Sequence, residues 1–207
     1  MTKRVLITGF EPFLDFKTNP TQIIVERLDK TKIKGGTIIG KVLPVDYSKM
    51  ENELLEIIEE ISPNLIIGTG LAPGRSKLSL EKIAVNYKFS TEPDNNGKIE
   101  SGSKIDQEMP DGMFSLIDVE GLANILNKLN IPTEVSMTAG TYLCNYAMFV
   151  IIREAKKMKI KGGFVHVPAD TSLAATLRYK DMPSMDIETM VQGIMTIVQH
   201  EMKSTNE

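Results

Sequence analysis

Tryptophan is absent from the 207 residues, cysteine occurs once and histidine twice. One thiol forms no internal disulfide, and one cysteine with two histidines does not make an ordinary Cys/His zinc cage, so neither a metal nor any other cofactor is expected. A surplus of positive charge is missing too. The 24 Lys and Arg stand against 27 Asp and Glu, a net charge of -3, so no basic field gathers phosphates and nucleic acid is not an expected partner. No apolar run approaches the ~18 residues that span a bilayer, and the stretch from Val5 to Ile7 is too short for the apolar core of a signal peptide. Neither membrane nor export is expected, and the reducing cytoplasm fits the lone thiol.

What is there reads as an ordinary folded domain. Hydrophobic residues make up 42% and charged residues 25%, far from the balance of disordered chains, and the length suits one core, so residues 1–207 are read as a single domain. Short β-branched runs alternate with segments of helical period, which predicts an α/β fold: a mostly parallel twisted sheet of about six strands with helices on both faces. The expected strands are 4–9, 37–45, 64–68, 83–86, 134–137 and 163–167. Asn19-Pro20-Thr21-Gln22 predicts a capped helix start with Gln22 reaching back, and Ser48-Lys49-Met50-Glu51 repeats that logic before a helix that Pro63 stops. Further helices are expected over 118–129, 146–158 and 184–201, and the Pro- and Gly-marked stretch 90–112 reads as a functional loop.

Chemistry concentrates in four stretches. In Ala139-Gly-Thr-Tyr-Leu-Cys144-Asn145, a glycine turn leads into a helix, and a thiol near a helix start meets unpaired N–H groups that lower its pKa and hold an oxyanion. The plainer alternative is that Cys144 is a small buried hydrophobe. His166 interrupts the apolar strand 163–167 just before Pro168, near the carboxyl end where open α/β sheets place their sites. There it serves either as a proton carrier or as a core imidazole bonded to backbone, whereas His200 reads as a helix-end residue. Gly68 to Arg75 is glycine-rich without the spacing of either phosphate-binding fingerprint, and Glu81, read as opening the strand 83–86, is either a solvated end or an orienting carboxylate for His166. Phe10 and Phe13 after the first strand either fold under their loop or wall an apolar slot for a planar ring.

Together these stretches resemble the pyroglutamyl peptidase I family, the pyrrolidone carboxyl peptidases. The resemblance rests on TGFEPF from Thr8, Asn19-Pro20, LPV from Leu43, GLAPGR from Gly70, EKIAVN from Glu81, AGTYLCNY from Ala139 and GFVHVP from Gly163, in family order over nearly the whole chain. It implies a cysteine exopeptidase that releases 5-oxoproline from N-terminally pyroglutamylated peptides, with Cys144 attacking, His166 as base and acid, and Glu81 orienting. It also implies a substrate slot from Phe10, Phe13, Asn19, Leu71, Tyr142 and Leu143, and a homo-oligomer, often a tetramer.

Ser90-Thr91-Glu92 stand where members usually carry Ala-Arg-Ile, Met137-Thr138 where Asn-Ser is common, and Ala169 to Leu173 where a Tyr and a Pro-Glu-Gln stretch are usual. Two other readings therefore stay open beside it: a binding protein of weakened activity or altered specificity on the same scaffold, and a nucleoside- or phosphate-handling enzyme using Gly68 to Arg75.

Overall fold

The structure, a computed structural model, describes residues 2–176 and 181–203. In chain order its elements are β1 (Lys3–Phe10), α1 (Pro20–Leu28), β2 (Lys32–Ile33), β3 (Gly36–Leu43), α2 (Met50–Ile61), β4 (Leu65–Leu71), β5 (Leu78–Glu81), β6 (Ile83–Val85), β7 (Gly112–Phe114), α3 (Val119–Lys128), β8 (Thr133–Ser136), α4 (Leu143–Met158), β9 (Lys161–Val167), β10 (Ala169–Asp170), α5 (Thr171–Thr176), β11 (Ser184–Met185) and α6 (Ile187–Lys203). Seven strands form one sheet in the order β2-β3-β1-β4-β9-β5-β8. It is parallel except at the edge hairpin β2-β3 and where β5 runs antiparallel to β9. The α/β class and the helix-covered, mostly parallel sheet are as expected. Among the described residues no helix is long and apolar enough to cross a membrane.

Two apolar layers hold the sheet. On one face Ile24, Val25 and Leu28 of α1, Leu122 and Leu126 of α3, and Met190, Ile194, Ile197 and Val198 of α6 pack on Val5, Ile7, Ile67 and Val165. On the other, Leu54 and Ile58 of α2 and Phe149 to Ile152 of α4 pack on Leu6, Ile66 and Phe164. Burying such a side chain contributes about 1.5–3 kcal/mol each, which is why the central strands are near-continuously apolar.

Local signals were realised unevenly. Asn19 caps α1, its Oδ1 accepting from Thr21 N at 3.0 Å, but Gln22 turns to Glu26 instead of the cap. Ser48 does not cap α2: Lys49 occupies the cap position with no side-chain bond, while Asp46 accepts from the Ser48 backbone and hydroxyl. Glu51, the other half of that expected box, takes the Tyr146 hydroxyl and Arg153. The last helix starts at Ile187 rather than at 184, because Ser184–Met185 pairs with Ala169–Asp170 and Asp186 then accepts from Glu188 N.

The expected strand 83–86 is a correction of more consequence. Ile83–Val85 lies outside the main sheet, in a ribbon with β7, and the sheet member is Leu78–Glu81. Polar Ser79 and Glu81 disguised β5, yet all four of its residues are buried. Glu81 therefore closes a strand of the main sheet and opens none.

Candidate active site

The cleft forms at the carboxyl ends of β1, β4 and β9. Phe10 ends β1, Leu71 ends β4, His166 is the penultimate residue of β9, and the start of α4 closes over them. It encloses about 270 Å³ and is lined by Phe10, Phe13, Asn19, Val45, Leu71, Ala72, Pro73, Arg75, Ala139, Gly140, Tyr142, Leu143, Cys144 and His166. All six residues expected in the slot line it, with Cys144 and His166. Phe10 also belongs to the core, and the Phe13 ring meets Phe16 edge-on at 5.3 Å and Tyr142 at 6.4 Å, so these rings pack inward as well as lining the cleft. The Asn19 amide is committed to the fold at both ends, accepting from Thr21 and donating to Glu11 O at 3.0 Å.

The helix start lies earlier than position 146, so Cys144 is the second residue of α4. Tyr142 supplies no side-chain cap, so the N–H groups of the first turn take no bond from that side chain. Asn145 pins this turn by accepting from Val85 N and donating to Val85 O and Tyr87 O, each at 2.9–3.0 Å. Below lies Gly70, where a Cβ would come within 2.7 Å of Cys144 Sγ. Gly68 and Gly70 are thus strand residues that admit α4, and no phosphate loop forms there.

The expected lowering of the thiol pKa is corrected. Burial pushes the Cys144 thiol up to about 12, the Glu81 charge adds to this, and Arg75 and the backbone N–H oppose it without prevailing. Desolvation wins because the cleft is apolar, whereas one helix terminus carries only about half a charge. Left to itself this thiol stays protonated, so its reactivity requires a base.

His166 lines the same cleft. It faces Gly70 across β4 and Ser79 across β5, and that antiparallel register puts Glu81, two residues beyond Ser79, diagonally beside it on the same sheet face. His166 Nδ1 lies 2.7 Å from Glu81 Oε1. Both side chains are buried, and the bond through Nδ1 fixes the imidazole while His166 lines the cleft. Arg75 Nη1 reaches the same carboxylate oxygen at 2.7 Å. Sequence reading placed Arg75 only in the Gly68 to Arg75 stretch of the phosphate-handling alternative and not beside Glu81, since that partner is fixed by the fold.

The loops around the cleft are tied by polar side chains. Glu11 Oε1 accepts from Val45 N and Asn95 Nδ2, joining three separated stretches, and Asn86 holds the long loop through Ile105, Asp106 and Met109. Thr91 and Glu92 border an adjoining hollow of about 260 Å³ that shares Phe13 and Tyr142 with the cleft.

A family model described as pyroglutamyl peptidase matches residues 3–203. Pyrrolidone-carboxylate peptidase 1 of Saccharolobus solfataricus is 47% identical over 203 residues, covering 98% of this chain and 96% of that protein. A pyrrolidone-carboxylate peptidase of Saccharolobus islandicus is 50% identical over 190 residues, covering 92% and 90%. Among solved structures, the pyrrolidone carboxyl peptidase of Thermococcus litoralis superposes with a TM-score of 0.94 at 36% identity, over 99% of this chain and 95% of that one.

Proposed function

This chain belongs to the pyroglutamyl peptidase family and is a pyroglutamyl peptidase, and we propose that Cys144, His166 and Glu81 carry out its chemistry. The observation that carries the proposal is a cysteine and a carboxylate-bound imidazole lining one cleft, the carboxylate itself buried behind the imidazole.

In this reading the thiol passes its proton to the cleft-facing nitrogen of His166 as sulfur attacks the scissile carbonyl. Coupled transfer matters because the thiol is a poor acid alone. The oxyanion is met by N–H groups of the first turn of α4, and His166 returns the proton to the departing amine. Water then hydrolyses the thioester and releases 5-oxoproline. Glu81 fixes the ring and stabilises the imidazolium without taking its proton.

Pyroglutamate suits an uncharged slot, since its nitrogen is closed into a lactam and carries no basic charge. Phe10, Phe13, Leu71, Tyr142 and Leu143 supply apolar walls, Asn19 stands at the margin holding the loop, and backbone groups bond the lactam N–H and C=O. We further propose a cytoplasmic homo-oligomer, a tetramer by family resemblance. The lone thiol supports the compartment, and exposed Tyr87, Phe89, Ile99, Phe114 and Met137 supply apolar surface for self-association.

The test is hydrolysis of an L-pyroglutamyl aminocoumarin amide by the parent and by Cys144→Ala. Turnover by the parent is expected, with loss on thiol alkylation and none in the folded variant; substantial activity of Cys144→Ala ends the assignment of the nucleophile.

A further inference from the structure

We propose that Arg75 is a positioning residue of this machinery: its guanidinium supplies the permanent charge that balances Glu81, so that the carboxylate holds the His166 ring without capturing it as an imidazolium. The inference rests on the roles given to Cys144 and His166 above. Arg75 lies in the turn between β4 and β5, where its N–H bonds Ala72 O at 3.2 Å and Gly74 has φ +89°. The turn brings the side chain back along the cleft wall.

One carboxylate oxygen serves both partners. Glu81 Oε1 is 2.7 Å from Arg75 Nη1 and 2.7 Å from His166 Nδ1, whereas the buried Oε2 has no partner. Glu81 is fully buried, His166 is 5% exposed and Arg75 31% exposed at the side chain. A buried carboxylate stays ionised only beside a cation. Were His166 the sole cation within reach, it alone would have to balance the carboxylate, and a ring committed to that could accept nothing from the thiol. Arg75 at the same oxygen balances the carboxylate without the ring.

The surrounding elements offer no substitute. On β5 the Ser79 hydroxyl is engaged with Glu134 of β8, and Lys82 is paired with Glu120 of α3. Ser136 stands opposite Glu81 on β8, Cys144 comes from α4, and the phenols of Tyr47 and Tyr142 remain protonated. Among the described residues, Arg75 and His166 are the two ion-pair partners that Glu81 has.

The experiment compares parent, Arg75→Gln and Arg75→Lys as full chains, each shown to be folded by circular dichroism. Two pH profiles are recorded: the rate of Cys144 alkylation by iodoacetamide, which needs no substrate, and kcat/KM on an L-pyroglutamyl amide. Without the guanidinium the imidazole keeps its proton to higher pH and the thiol releases its own later, so both effects move the acid limb upward. For Arg75→Gln the limb is expected to rise by about one pH unit, with kcat lower by about 10–100-fold and KM nearly unchanged. Arg75→Lys keeps a charge without the planar fork, so its limb returns towards the parent while part of the kcat loss persists. An unmoved limb in Arg75→Gln overturns the proposal, whether activity is intact, as for an incidental ion pair, or KM alone rises, as for a substrate contact. A limb displaced equally in Arg75→Lys overturns it as well, and that comparison with the parent decides the matter if Arg75→Gln does not fold. If the parent cleaves no pyroglutamyl amide, the assigned activity fails while the alkylation profile still tests Arg75.

Discussion

Replacing Gly70 by alanine asks whether the strand beneath Cys144 sets the position of the thiol. The added Cβ would lie 2.7 Å from Cys144 Sγ and 3.0 Å from two carbons of the Phe164 ring. Comfortable contacts lie near 3.5–4.0 Å, so the sulfur must retreat by about 1 Å and the ring by about half that. The strand yields little, because β4 is paired with β9 as far as Leu71, with Gly70 opposite His166, and with β1 as far as Gly68. Sulfur ends a side chain with one rotatable bond and can swing away, so the strain resembles ordinary overpacking, about 1–3 kcal/mol. For a chain of this size that lowers Tm by roughly 2–10 °C. Activity should suffer more. A reacting atom displaced by about 1 Å costs on the order of 100-fold in rate, so kcat is expected to fall by about that factor in protein that remains folded. Thermal denaturation and kcat on an L-pyroglutamyl aminocoumarin amide measure the two effects separately. A folded Gly70→Ala protein with kcat within about threefold of the parent would refute the argument that this glycine places the thiol.

The remaining predictions concern the base and the slot. Glu81→Gln should lower kcat by about 100-fold or more while KM changes little, since the carboxylate acts on the imidazolium of the transition state; an unchanged kcat would reduce Glu81 to a buried anchor. In His166→Ala the thiol keeps only its own acidity, pushed to about 12 by burial. Its alkylation rate should then climb about tenfold per pH unit from neutral into alkaline solution, and a plateau near neutrality would contradict this. Phe10→Ala and Phe13→Ala should each cost about 1–3 kcal/mol in kcat/KM, measured on protein shown to be folded because Phe10 is also core. L-Prolyl amides should be refused, since their ring nitrogen is usually protonated and finds no partner in an apolar slot; comparable kcat/KM for prolyl and pyroglutamyl amides would end the slot hypothesis.

Much of this protein is written locally. The apolar runs within β1, β3, β4 and β9 mark the central strands because both faces are covered, and Asn19 and Asp118 cap their helices through bonds made within three residues. The cysteine and the histidine were legible as candidates for a similar reason: each interrupts a pattern, one at a helix start and the other at a strand end. Local signals failed where a distant partner outbid them. Asp46 and Arg153 drew off the groups that would have capped α2, and β10 drew Ser184–Met185 out of the last helix. Tertiary structure alone decided how the site is wired. Glu81 reaches His166 because β5 inserts between β9 and β8 and runs antiparallel to β9, a register that depends on contacts across some eighty-five residues of chain. Arg75 joins them because a turn folds it back on the same carboxylate, and Gly70 matters because α4 crosses directly above it. Burial, which pushes the thiol pKa up, likewise belongs to the folded chain, since desolvation depends on every element that closes over the cleft.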